Sequence, residues 1–271
     1  MPLAFGSKVL VMGILNVTPD SFSDGGCFLD ADAIDAQVNA MVQAGADIID
    51  VGGESTRPFA EPVSASDELD RVLPAIRLIR QRSEIPISID TTKAVVARRA
   101  LAEGADIIND VSALRFDPEM LVLVKETEVP VIIMHMQGTP SDMQRAPHYD
   151  DVIAEIKDFF VERLAWAVAH GIARKRFIID PGIGFGKTVG HNLTILKRAA
   201  ELTELGCPLL IGHSRKSFIG KVLGMEVEER DVATAVISAL CAEKGISILR
   251  VHDVQKTVQA LRLAEAIKRA D

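Results

Sequence analysis

The sequence predicts an α/β fold, a closed (β/α)8 barrel built as a single domain over residues 1–271. Three observations carry that expectation. Eight short runs of apolar and β-branched residues alternate with stretches of helical periodicity. The runs are apolar throughout, as strands are when helices cover one face and a packed interior fills the other. The length of 271 residues lies near the roughly 250 typical of such a barrel, and no shift in composition marks a second domain. A doubly wound open sheet is the alternative for the same pattern.

Each element has its own signal. The first strand, 8–15, is continuous from Val9 to Leu15 and stops at Asn16; a polar loop with two glycines follows. Helix 31–44 puts Ile34, Val38, Met41 and Val42 on one side, with Gly45 just past its end. Strand 47–51 runs into Gly52-Gly-Glu-Ser-Thr-Arg-Pro58, and helix 66–82 is amphipathic. Strand 86–89 stops at Asp90, and Thr91 suits the N-cap of helix 92–103. Strand 105–108 ends at Asn109-Asp110, and a short helix follows Asp117-Pro118. Strand 129–134 leads into His135 and then a long helix, 149–169. Strand 176–180 is cut off by Asp180-Pro181-Gly182. Helix 190–205 ends at Gly206, and strand 208–211 opens into Gly212-His-Ser-Arg-Lys-Ser217. An alanine-rich helix, 229–244, precedes strand 246–251, which carries Arg250, and helix 254–269 ends the pattern.

Composition narrows the partners. The balance of 30 basic against 38 acidic residues, a net charge of -8, argues against nucleic acid and anionic membranes, which want a basic surface. Cys27, Cys207 and Cys241 form no CxxC pair, and we expect reduced thiols in a cytoplasmic protein. Neither a signal peptide nor a membrane-spanning run is expected.

In a barrel of this kind the site lies at the carboxyl ends of the strands. The residues there are Asn16, Glu54, Asp90, Asn109, His135, Asp180, Lys216, Arg250 and His252. Turns favour Asn, Asp, Ser and Gly, which accounts for some of these as loop caps. It does not account for Lys216, Arg250 and His252, so a converging ligand site is expected. Buried Asp and Asn can read a flat, nitrogen-rich ring, a carboxylate accepting two parallel N–H bonds. Arg57, Lys216, Arg250 and His252 form a second, cationic set suited to phosphate or diphosphate, with Ser214–Ser217 offering a helix N-terminus. Gly182-Ile-Gly-Phe-Gly-Lys187 only imitates a phosphate loop, because Pro181 stands where a Walker loop needs glycine. The six histidines show no zinc spacing.

Four motifs, Asn16-Val-Thr-Pro-Asp-Ser-Phe-Ser-Asp-Gly-Gly, Gly52–Pro58, Asp180-Pro-Gly-Ile-Gly-Phe-Gly-Lys187 and Ser214-Arg-Lys-Ser217, together resemble the bacterial dihydropteroate synthases, pterin-binding TIM barrels. The resemblance runs from about Val9 past His252. It departs at Ile183, where phenylalanine is more usual, and at Phe59, where glycine is common. It implies condensation of 6-hydroxymethyl-7,8-dihydropterin diphosphate with p-aminobenzoate, inhibition by sulfonamides, and a homodimer formed through the last two long helices. It further implies that Asp90, Asn109, Asp180 and Lys216 hold the pterin, with Met134 and Phe185 packing near it. Asn16 would ligate Mg²⁺, Thr56, Arg250 and His252 would serve the diphosphate with help from Arg57, and Ser217, Phe22 and Pro58 would shape the aminobenzoate pocket. Asp90, Lys216 and Arg250 are the expected catalytic residues, and loops 17–30 and 54–65 are expected to close over the substrates. A methyltetrahydrofolate:corrinoid methyltransferase-like barrel would share the Asp/Asn set but would not need Ser214–Ser217 or the Asn16 loop. A catalytically silent binding barrel is the third reading, against which the full set of charged strand ends argues.

Overall fold

Parallel strands joined by helices can close on themselves only if the first and last strands pair, and here they do. The structure, a computed structural model, describes residues 5–6, 8–18, 31–55, 62–139 and 142–270. The strands are β1 (Leu10–Asn16), β2 (Ile48–Gly52), β3 (Ile87–Asp90), β4 (Ile107–Asp110), β5 (Val131–Met134), β6 (Phe177–Asp180), β7 (Leu210–Ile211) and β8 (Ile248–Val251). All pair in parallel in the order β6-β5-β4-β3-β2-β1-β8-β7. The ring is completed by a parallel bridge between Ile179 and Leu209, with the Ile179 N–H donating to the Pro208 carbonyl at 3.0 Å. The closed barrel is therefore the fold, and the open doubly wound sheet is excluded.

The helices are α1 (Ala31–Ala44), α2 (Ala65–Arg82), α3 (Ala94–Ala102), α4 (Pro118–Glu126), α5 (Val152–Ala169), α6 (Val189–Arg198), α7 (Ala200–Thr203), α8 (Ser217–Leu223), α9 (Asp231–Ala242) and α10 (Val254–Lys268). The helix expected over 190–205 is thus two, parted at Ala199, and α5 starts at Val152, where Asp151 accepts the Ile153 and Ala154 N–H groups. Thr91 is not the cap of α3. Its hydroxyl takes the Lys93 N–H at 3.2 Å, while Asp117, from the loop before α4, accepts the Ala94 N–H at 2.7 Å. The cap thus comes from the next repeat, where Asp117 stands beside the first turn of α3.

Strand parity divides the core in two. Leu10, Met12, Ile48, Ile107, Ile132, Ile178, Leu210 and Ile248 pack together inside the barrel. The alternate residues, such as Ile49, Val51, Ile89, Ile108, Ile133, Phe177, Ile179 and Leu249, pack outward against the helices. Burying each such side chain contributes roughly 2 kcal/mol, so the continuous apolar runs are explained by demand from both faces. The strands β1 to β4 also run one or two residues further at their carboxyl ends than the apolar runs suggest. The ladder continues through the first polar residue, in the register Asn16–Gly52–Asp90–Asn109 across four strands.

Candidate active site

That ladder makes the site. On β2, β3, β4, β6 and β8 the inward parity set by Ile48, Ser88, Ile107, Ile178 and Ile248 brings the next inward positions to Asp50, Asp90, Asn109, Asp180 and Arg250. The barrel interior therefore passes from hydrocarbon to a polar layer within one step of each strand.

Arg250 is the centre of that layer. Its Nε donates to Asp50 Oδ2 at 2.6 Å and a terminal nitrogen donates to Asp90 Oδ2 at 2.7 Å. Asn109 Nδ2 lies 3.4 and 3.3 Å from the two Asp50 oxygens. Asp180 accepts the Gly182 N–H at 2.7 Å on one oxygen. Its other oxygen and the Arg250 Cβ flank Gly212, 3.7 and 4.0 Å from where a Cβ would stand, which places both beside the loop after β7. The Lys216 ammonium sits 4.2 Å from the centre of the Phe185 ring, a cation–π distance. Phe185, Met134, Met136, Met143 and Val111 form one small apolar cluster beside these groups. The sequence-predicted Asp90, Asn109, Asp180, Lys216, Arg250, Met134 and Phe185 thus gather at one mouth.

Electrostatics there are dominated by burial. Desolvation pushes Asp90 up to about 7, with Arg250 pulling against it and Asp50 adding to it. Burial likewise raises Asp180, opposed by the Gly182 N–H and by Lys216 and Arg250. Burial also works against the charge on Arg250, but the Asp50 and Asp90 carboxylates outweigh it and its pKa is raised. His252 is different. Burial, then Arg250, Arg215 and Lys216, depress it to about 3. That shift favours the neutral ring, whose Nδ1 lies 2.9 Å from the Ser214 hydroxyl.

Two strand-end residues turn away from the mouth. Glu54 pairs with Lys93 at 2.6 Å, as does the fully buried Glu68, and Glu54 also accepts the Val63 N–H at 2.9 Å. His135 lies against Lys187, its Nδ1 3.1 Å from the ammonium, and stacks edge-on to Phe159. Lys187 is itself buried, donates to the Phe185 carbonyl at 2.9 Å, and is lowered to about 7 by desolvation. It pins the glycine-rich loop through the Phe185 carbonyl. The loop is held close enough that a Cβ on Gly182, at φ +70°, would stand 2.0 Å from the His135 carbonyl oxygen.

Asn16 ends β1 facing inward, and its Oδ1 and Asp90 Oδ2 border Gly52 at 3.9 and 3.8 Å from its virtual Cβ. Among the described residues no group of three or more His, Cys, Asp or Glu could hold a metal. Ser217 is exposed as the first residue of α8. Thr56, Arg57, Phe22, Pro58 and most of the loop 17–30 lie outside the described residues. Asp50 was not foreseen, although an acid inside Ile48-Ile49-Asp50-Val51 at even spacing from Ile48 is the signal that could have found it.

A sequence profile of the Pterin binding enzyme family matches residues 12–252. The chain is 50% identical over 258 residues to the dihydropteroate synthase of Escherichia coli (strain K12), covering 94% of this chain and 90% of that relative. It superimposes on a crystal structure of Yersinia pestis dihydropteroate synthase in a sulfonamide drug complex with TM-score 0.92 and 44% identity, over 97% of this chain and 96% of that one. A structure of the Xanthomonas albilineans dihydropteroate synthase in complex with 7,8-dihydropteroate matches with TM-score 0.88 and 43% identity, over 98% and 95% of the two chains.

Proposed function

The chain belongs to the pterin binding enzyme family, and from that premise we infer that it works as a dihydropteroate synthase. It is a transferase that joins 6-hydroxymethyl-7,8-dihydropterin diphosphate to p-aminobenzoate, releasing diphosphate and 7,8-dihydropteroate, and a sulfonamide target. The methyltransferase reading is not favoured, since the relatives are synthases along nearly the whole chain.

The observation that carries the site reading is the meeting of Asp90, Asn109, Asp180 and Lys216 with Arg250 at one mouth. In our reading Asp90 and Asp180 accept N–H groups of the pterin edge. Both are poorly solvated when empty, so ring donors supply the hydrogen bonds that water cannot. Asn109 completes the recognition, and a wrong ring leaves these groups unpaired, which makes selection steep. Met134 and Phe185 flank the ring, with Lys216 laid over Phe185. Arg250 and Lys216 stabilise charge developing on the departing diphosphate, while neutral His252 donates a hydrogen bond. Asp90 stabilises positive charge left on the pterin methylene, and the arylamine, already neutral at pH 7, attacks without a strong base. The substitution is therefore dissociative in character. Thr56 and Arg57 serve the diphosphate, and Ser217, Phe22 and Pro58 the aminobenzoate.

Hard oxygen donors suit Mg²⁺, which keeps few protein ligands and completes its shell with substrate phosphate and water. The Asn16 amide oxygen, facing inward beside Gly52, fits that mode and would hold the ion. When bound, Mg²⁺ supplies charge neutralisation of the diphosphate leaving group.

The first and last strands pairing with each other supports reading residues 1–271 as one domain. Exposed apolar side chains on α9 and α10 support a homodimer. No helix among the described residues is long and apolar enough to cross a membrane, and the free thiols of Cys207 and Cys241 suit a cytoplasmic setting. The decisive assay is diphosphate release from the pterin substrate. It should require p-aminobenzoate for turnover and fall when a sulfonamide competes; turnover indifferent to the arylamine would overturn the reading.

A further inference from the structure

Asp50 occupies a position where the apolar run of β2 would place another isoleucine, and it is fully buried. A buried carboxylate costs several kcal/mol unless its partners compensate, so those partners indicate its use. They come from either side of β2: Arg250 from β8, through Nε at 2.6 Å, and Asn109 from β4, through Nδ2 at 3.3 Å. Arg250 passes the connection on to Asp90 at 2.7 Å. One acid therefore touches both a proposed reader of the ring and the proposed diphosphate cation.

We propose that Asp50 is a positioning residue that sets the orientation of both partners, an inference resting on the synthase reading above. An ionised carboxylate only accepts. The Asn109 amide must therefore turn its NH₂ toward Asp50 and its Oδ1 away, as an acceptor for a ring N–H. The same constraint holds the Arg250 guanidinium by Nε and by the terminal nitrogen it shares with Asp90, each 2.6 Å from Asp50, so that the Asp90 contact alone is exchanged for phosphate oxygens when substrate arrives. Asp90 is then released for the pterin without Arg250 leaving the mouth. The hand-over is between partners of one fixed side chain, because the Asp50 contacts persist while the Asp90 contact is replaced.

Asp50→Asn tests this, since it keeps volume and one acceptor oxygen for Asn109 but removes the charge that holds Arg250. Steady-state kinetics should show kcat/KM for the pterin diphosphate down by about tenfold or more, with KM for p-aminobenzoate within about twofold. Calorimetric binding of 6-hydroxymethylpterin, which lacks the diphosphate, should change by less than about threefold. In an Arg250→Lys background, where the fork is absent, Asp50→Asn should add little further loss. Should Asp50→Asn not fold, Asp50→Ser, which leaves room for a water, is read in the same way. Unchanged kcat/KM, equal losses for both substrates, or fully additive losses in the Arg250→Lys background would each overturn the inference. A wild-type chain without synthase turnover would remove the underlying reading instead, so the two failures are distinguishable.

Discussion

At the scale of single residues, the balance between desolvation and pairing decides what each charged group does. Asp90 has an arginine at 2.7 Å and is still pushed up to about 7, because burial outweighs that contact. Only its ionised form accepts two N–H bonds. We therefore expect kcat/KM for the pterin substrate to rise with pH through an apparent pKa near 7 and to fall on the acid side, as that ratio reports the free enzyme. Asp90→Asn should be slow and lack that limb; an acid limb that persists in the variant would assign it to another group. The shift also costs stability in a defined window. Between the ordinary value of 3.8 and about 7 the folded chain keeps a proton that the unfolded chain has released. This group's contribution therefore falls as pH rises across that range. Asp90 and Asn109 were legible in the sequence because each interrupts an apolar run at its end. Asp50 was not, because its run continues through Val51, and only strand parity shows that it faces the mouth.

At the scale of elements, apolar runs located every strand but placed their carboxyl ends one or two residues early on β1, β2, β3 and β4. Backbone pairing does not stop where side chains become polar, and in a barrel those last paired residues are the site. The missed cap of α3 has a related cause, since Asp117 reaches Ala94 only after the loops have packed. Beside it, Lys93 ties Glu54 at the end of β2 to Glu68 on α2, and Glu54 holds the Val63 N–H, so the two ends of segment 55–62 are joined. Lys93→Met would leave Glu68 buried without its cation, and breaking such a pair costs about 3 kcal/mol or more. Denaturant unfolding should show that loss, and Lys93→Met with Glu68→Leu should recover much of it. Equal stability of the single variant and the wild type would show that solvent already screens the pair.

At the scale of the molecule, closure by β1–β8 pairing and the Ile179–Leu209 bridge gives all the strand ends a single rim. The outer face is uneven. On α9 Val232, Val236 and Leu240 are exposed, and on α10 Leu263 and Ile267, the last at 67%. Apolar surface of this kind on packed neighbouring helices is what a dimer contact would cover. We expect the protein to sediment as a homodimer and Val236→Lys with Leu240→Lys to shift it to monomer, with the barrel still folded by circular dichroism. A wild-type monomer at micromolar concentration would rule the dimer out.

Periodicity and turn chemistry alone determined the order of the eight strands and of most helices, the barrel class, and most of the polar residues at its mouth. Those features are local, written in spacings of two or about four residues and in breakers such as Asp180-Pro181-Gly182. Tertiary structure decided which of the polar groups meet. It turned Glu54 and His135 aside, buried His252 beside Arg250 so that its pKa is depressed, and brought Asp50 to Arg250 across 200 residues of chain. Sheet register and burial, which arise only when distant strands pair, set those outcomes.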